Sequence, residues 1–496
     1  METFERLIDN LSELCGIIPE YWDIFGNRYT TSIETKKAIL KAMKLRIDSI
    51  EDINSEIKRL SLRPWNRFIE PVFIISFNNQ PSKIPVYVPV NQGEEKDLAI
   101  SLNIEDESGN IEKNNLSYNE IIILEEKWID SKRYLKIELH DIGKRDLGYY
   151  TLKVSCSINA LEKRRIKGES KLIITPDSCY IPKTLEDHKT WGLSINLYSL
   201  RSLDNWGFGD FSDLKKIIQW IGRLKGGFVG VNPFHAISNK KPFGISPYAP
   251  ISKLYKNYLY LDIDDIEEFK EALSKGLIIK EYIGLQIDEI RNDDLIDHQK
   301  IASLKELVLR QCFELFYERY SQKKEDLDTM SIERINRFRK FIKNEGECLD
   351  NFSTYMALSK KFGMDLGLFS WQDWPEEYHN PSSKAIVEFK KKNNKEILFY
   401  KYIQWLIDEQ LYNIFQQTEY LRMPIGVYHD LAIGSVRGGS DEWMAQGLFA
   451  EGISVGAPPD DFNPKGQDWG FPPIIPESLI DSGYDFFIKT IQKNMK

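Results

Sequence analysis

The sequence predicts an α/β protein with a helical part and an all-β part ahead of it. Three observations carry that prediction. Residues 1–62 place apolar side chains at helical spacing, residues 63–178 carry short β-rich runs between turn residues, and from Trp191 strand, loop, helix and strand alternate. A chain of 496 residues has room for two to four domains and a large core. The apolar fraction of 42% and charged fraction of 28% are those of a water-soluble globular protein. A formal net charge of -9 argues against nucleic acid as a partner, because phosphate binding needs a basic face.

In the first part, Phe4, Leu7, Ile8, Leu11, Leu14 and Cys15 recur at helical spacing. Thr31 and Glu34 have the spacing of a capping box ahead of Ala38, Ile39, Ala42 and Met43. The stretch between them, GIIPEYWDIFGNRY, reads as a loop rich in aromatics. Residues 63–178 hold seven β-rich runs (PVFIISF, IPVYVPV, LAISLNI, IIIL, YLKIEL, YYTLKV, KLIIT). Turn residues such as Ser108-Gly109-Asn110 separate them, which predicts a small antiparallel sandwich, either a structural spacer or a carbohydrate-binding module. Beyond it, GLSINLYSL and GGFVGVNPF read as strands flanking the helix DLKKIIQWIGRLK. A helical insertion over about 264–420 interrupts the alternation, which resumes with a third strand in PIGVYHDLAIG. In such folds the functional loops follow the carboxyl ends of the strands.

Several chemistries lack a motif. The five scattered cysteines show no CxxC spacing, which predicts reduced thiols rather than disulfides or zinc. The N-terminus has no secretory signal pattern and no apolar run approaches ~20 residues, so a cytoplasmic protein without membrane contact is expected. Neither GxGxxG, GxxxxGK[ST] nor HExxH occurs. His235, His379 and His429 are far apart and read as packed or hydrogen-bonding side chains.

The richest stretch is 424–473, dense in Gly, Pro, carboxylates, amides and Trp. Sugar sites need aromatic faces that stack on a ring and carboxylates or amides that grip hydroxyls. Tyr248 in SPYAPIS is one candidate platform; taken singly, a buried tyrosine in a Pro-rich turn is the commoner case. Gln467 and Trp469 stand between glycines in GQDWG, as a sugar contact or as a structural turn with a core Trp. Asp430 ends the third strand, as a cleft carboxylate or a loop cap. Asp460 and Asp461 lie in APPDDFNP, where adjacent acids usually serve a turn.

Together these segments resemble the 4-α-glucanotransferases of the amylomaltase family. The matching motifs include GIIPEYWDIFGNRY, WGLSINLYSLRSLDNWGFGDFSDL, GFVGVNPFHAI, SPYAPISKLYKNYLYLDI, FSWQDWPEEY and SVGAPPDDFNPKGQDWGFPP, in the family's order. The resemblance implies a (β/α)8 barrel with helical insertions and no cofactor or metal. It implies transfer of α-1,4-glucan segments between maltodextrins by a retaining double displacement, with paired carboxylates about 5 Å apart across the scissile bond. By the same resemblance, Tyr248 stacks on the attacked sugar, with Ser246 in the same loop, and Asp430 organises that subsite. Asp460, Gln467 and Trp469 touch the glucan from a mobile loop over the cleft. His429 departs from the pattern, standing where many members carry Arg.

A larger departure concerns catalysis. The family's nucleophile lies in a motif like RIDH on the fourth barrel strand, and no RIDH occurs here. The expectation is an incomplete barrel over 185–496, truncated before the catalytic Asp/Glu/Asp and inactive alone. A second polypeptide carrying the missing half is the partner this would require, beside the maltodextrin itself; a non-catalytic glucan-binding protein is the alternative. Three strands of eight would also leave open sheet edges and a poorly stable barrel portion, while the helical N-terminus and sandwich could fold independently.

Overall fold

The computed structural model describes residues 4–495 except 82, 140–141, 160–163 and 240–243. Three helices open the chain: α1 (Phe4–Leu14), α2 (Ile33–Ala42) and α3 (Ile50–Ser61). Their apolar faces close on one another, with Leu7, Ile8, Leu11, Leu40 and Ile53 buried together. The α2 cap falls one residue later than expected: Ser32, not Thr31, accepts the Thr35 N–H at 3.2 Å. The aromatic stretch expected as a loop is a hairpin, β1 (Glu20–Trp22) and β2 (Arg28–Thr30). Asp23 Oδ1 closes its turn by accepting the Phe25 and Asn27 N–H groups at 2.9 and 2.8 Å.

Eight strands follow: β3 (Val72–Ser76), β4 (Ile84–Val90), β5 (Ala99–Glu105), β6 (Ile111–Ser117), β7 (Ile122–Ile129), β8 (Lys132–Leu139), β9 (Gly148–Asn159) and β10 (Arg164–Thr175). They form a five-stranded sheet, β3-β10-β9-β5-β6, and a three-stranded sheet, β4-β8-β7. Alternation sends Ile84, Val86 and Val88 of β4 and Leu135 and Ile137 of β8 into one core. There they meet Leu102, Ile104, Leu152, Val154 and Leu172 of the larger sheet. Two expectations need correction. Strand β6 (IEKNNLS) went unread because only Leu116 among its side chains is buried, and β3 runs parallel to β10, so the sandwich is not wholly antiparallel.

After the single-turn helix α4 (Lys183–Glu186), the parallel unit begins with β11 (Gly192–Ile195), α5 (Phe211–Arg223) and β12 (Phe228–Val231). Asp210 caps α5, accepting the Ser212 and Asp213 N–H groups at 3.0 and 3.3 Å. Leu214, Ile218 and Ile221 form the buried face of that helix. A short antiparallel pair follows, β13 (His235–Ala236) with β14 (Ser252–Lys256). The helical stretch comprises α6 (Glu267–Ser274), α7 (Lys280–Asn292), α8 (His298–Tyr320), α9 (Thr329–Leu366), α10 (Lys384–Lys392) and α11 (Asn394–Tyr420). Its core is continuous with that of the parallel unit, and inside it the buried Arg334 guanidinium grips both Glu268 oxygens at 2.6 Å.

The alternation returns in β15 (Gly426–His429), which completes a parallel sheet in the order β11-β12-β15. The chain then passes through α12 (Ser440–Met444) and a second hairpin, β16 (Val455–Ala457) and β17 (Gln467–Phe471). Two helices follow, α13 (Pro476–Asp481) and α14 (Asp485–Asn494), separated where Ser482, Gly483 and left-handed Tyr484 break the helical course. The N-terminal helices are tied to this end: Arg59 reaches Glu477 at 2.7 Å, and Arg63 and Arg67 each reach Asp481 at 2.8 Å. None of the five cysteines is paired. No helix among the described residues is long and apolar enough to cross a membrane.

Candidate functional site

Register decides what lies at the end of the parallel sheet. Ile195, Val231 and His429 are mutual partners across the three strands. The residues that follow them, Asn196, Asn232 and Asp430, therefore share the carboxyl edge. Asn232 bridges its neighbours there: its Oδ1 accepts the Leu197 N–H at 2.8 Å and its Nδ2 donates to the Tyr260 hydroxyl at 2.8 Å. The Asp430 N–H donates to the Val231 carbonyl at 3.2 Å, which fixes where its side chain starts.

Onto this edge folds the loop 246–251. Ser246 shapes it: its Oγ accepts the Tyr248 N–H at 3.2 Å and its carbonyl accepts the Ala249 N–H at 3.1 Å. The Tyr248 hydroxyl donates to Asp430 Oδ2 at 2.8 Å, joining residues 182 apart in sequence. Asp430 Oδ1 accepts the Leu431 N–H at 2.8 Å. The hydrogen bond to the carboxylate raises the Tyr248 pKa, so the phenol keeps its proton. The residue is 48% exposed, so Tyr248 is not a buried core tyrosine. An aromatic held at its polar tip with an open ring surface suits stacking on a sugar.

The second group of candidates lies on the β16–β17 hairpin. Trp469 Nε1 donates to Gln467 Oε1 at 3.1 Å, and the residue is 38% exposed, which sets aside the core-Trp reading. Close strand approach requires glycine at 456, where a Cβ would lie 2.0 Å from the Gln467 carbonyl oxygen. Asp468 Oδ1 accepts the Ser454 hydroxyl at 2.6 Å and the Gly470 N–H at 2.8 Å, and these bonds lower its pKa. Asp460 serves the turn between the strands, its Oδ1 accepting the Phe462 and Asn463 N–H groups at 2.9 and 2.6 Å. The structure thus joins Ser246, Tyr248 and Asp430 in one cluster and Gln467 and Trp469 in another. Asp460 bonds to neither. Phe471, which ends β17, lies close against Gly434 in the loop after β15, where a Cβ would meet its side chain.

Sequence reasoning missed the polar groups behind the cluster. Glu442 Oε2 accepts the Gly438 N–H at 2.6 Å, Gln372 Nε2 at 2.9 Å and Trp371 Nε1 at 3.2 Å, linking FSWQDW to the loop after β15. His235 Nε2 accepts the Ala432 N–H at 3.2 Å. His429 meets the Phe234 ring edge-on at 5.4 Å, and burial, then the charge of Lys256, pushes its pKa down to about 3. It is a neutral packing residue, as the sequence suggested. The paired acid and Trp of GSDEW beside WQDW were the available signal.

The family can now be named from comparison. The sequence profile of the 4-alpha-glucanotransferase family matches residues 195–496. The chain belongs to this family. A 4-alpha-glucanotransferase of Haemophilus influenzae is 33% identical over 354 residues, covering 70% of this chain and 49% of that protein. One from Mycobacterium bovis is 28% identical over 505 residues, covering 99% of this chain and 64% of the other. The crystal structure of an amylomaltase from Corynebacterium glutamicum superposes with a TM-score of 0.77 at 26% identity, across 99% of this chain and 63% of that one. The chain thus spans about half to two thirds of these family members. The mixed α/β architecture read from the sequence agrees with that of the amylomaltase structure.

Proposed function

We propose that this chain supplies the sugar-gripping part of an α-1,4-glucan transfer site, with maltodextrin as its ligand. The observation that carries the proposal is the Tyr248–Asp430 bond at the carboxyl edge of the parallel sheet, which leaves the Tyr248 ring open. On this reading β11, β12 and β15 are the first three strands of a (β/α)8 barrel, and Tyr248 stacks on the sugar to be attacked. Asp430 holds the phenol and orients the sugar hydroxyls. Gln467 and Trp469 approach the glucan from the hairpin, and Asp460 shapes the hairpin turn.

Transfer by retaining double displacement needs a nucleophilic carboxylate and a general acid about 5 Å apart. No RIDH sequence occurs in this chain, so the reaction would draw those groups from residues outside it, on the same or a second polypeptide. The protein alone should bind maltoheptaose in isothermal titration and release no glucose or longer glucan from maltotriose. Transfer by the isolated chain would overturn the division of labour. Absence of maltoheptaose binding would overturn the assignment of the site.

A further inference from the structure

We propose that Asp441 is the positioning residue that sets the Tyr248–Asp430 pair, by tying together the two loops that carry it. The role as stated rests on the glucan-binding reading above; the geometry does not. Tyr248 and Asp430 stand on loops from different strands, and the single bond between them lies at the exposed rim. A lone rim hydrogen bond cannot hold two loops in one arrangement against solvent competition.

Asp441 lies beneath both loops, fully buried. Its Oδ1 accepts the Ser252 hydroxyl at 2.6 Å, and its Oδ2 accepts the Lys253 N–H at 2.8 Å and the Ser435 hydroxyl at 2.6 Å. Ser252 stands four residues after Tyr248 and Ser435 five after Asp430, so one carboxylate spans both loops close to the residues that must meet. The backbone repeats the link. Val436 N–H donates to the Pro250 carbonyl at 2.8 Å, and Asp441 N–H to the Ile251 carbonyl at 3.1 Å. Gly439 permits the contact, since a Cβ there would lie 2.8 Å from the Ile251 carbonyl oxygen. A buried carboxylate is costly unless donors surround it. Three short bonds from two loops make its position and theirs interdependent.

The test uses the whole chain and two readouts. In Asp441→Asn, hydrogen exchange without ligand should quicken together in peptides spanning 244–250 and 430–434. Maltoheptaose affinity should fall about tenfold, the scale of a lost charge-assisted bond. Because Asp441 acts through Tyr248, the Asp441→Asn/Tyr248→Phe double variant should bind no more weakly than the weaker single variant. Ser435→Ala removes one donor, keeps the carboxylate, and should show the same pattern at smaller size if Asp441→Asn does not fold. Faster exchange confined to 252–254 and 435–441 would overturn the proposal, as would fully additive losses of affinity. If wild-type protein binds no maltoheptaose, the site assignment fails, while the exchange result still decides whether Asp441 sets the pair.

Discussion

The strand-end cluster and the hairpin cluster both present a partly open aromatic ring, but they are held in opposite ways. Tyr248 is fixed by a residue 182 positions away, on a parallel sheet, above a buried carboxylate that joins both loops. Trp469 is fixed by Gln467, two residues away, on a hairpin whose strands have three and five residues. On the proposed reading, the difference separates a preorganised platform, whose ordering cost is met during folding, from an adaptable arm that orders on contact with ligand. The proposed transfer site would have use for both, since a sugar must be gripped in one geometry while glucans of different length come and go.

The largest expected effect that would distinguish the two regions is that of acid. Burial holds the His235 pKa well below 6.5 and brings His429 to about 3, with the charge of Lys256 as the next cause for each. Both imidazoles are therefore neutral in the folded state, whereas in the unfolded chain they take up protons as pH falls through about 6.5. Their contribution to stability is full above that value and is lost progressively as pH falls toward about 3. Urea midpoints measured across this range should fall, and His235→Gln should flatten the slope. Exchange should quicken at the strand-end loops before it does in the β16–β17 hairpin.

Next in size is Tyr248→Ala, which should cost about 2 kcal/mol of maltoheptaose affinity by titration calorimetry, combining a lost stacking face with an unpaired Asp430. Trp469→Ala should cost about 1 kcal/mol, because an arm that orders on binding returns part of its stacking gain as entropy. Equal losses at the two positions would erase the proposed distinction. Smallest is Arg67→Ala. The Arg67–Asp481 pair is partly exposed, so its removal should cost less than about 1 kcal/mol in a thermal melt, and high salt should abolish the difference.

Periodic elements were legible in the sequence. Leu7, Ile8 and Leu11 announce α1, and Ile84, Val86 and Val88 announce β4, because each pattern reports one buried face. Elements without that asymmetry were not. Strand β6 buries one side chain, and β1 and β2 have three residues each, too few to show alternation. Strand direction was hidden as well, since β3 alternates alike whether its neighbour runs parallel or antiparallel. In the site, Tyr248 and Asp430 could be named as candidates but not paired, because nothing local specifies a bond across 182 residues. Asp441 was invisible for a related reason: in sequence it is one acid of GSDEW, and only the fold brings Ser252 and Ser435 to its two oxygens.

The most direct measurement is hydrogen exchange of the whole chain with and without maltoheptaose. Modest added protection is expected at 244–250 and 430–434, which are already ordered, and large added protection over 455–471. No change in either cluster, or protection confined to the sandwich strands 72–175, would contradict that expectation.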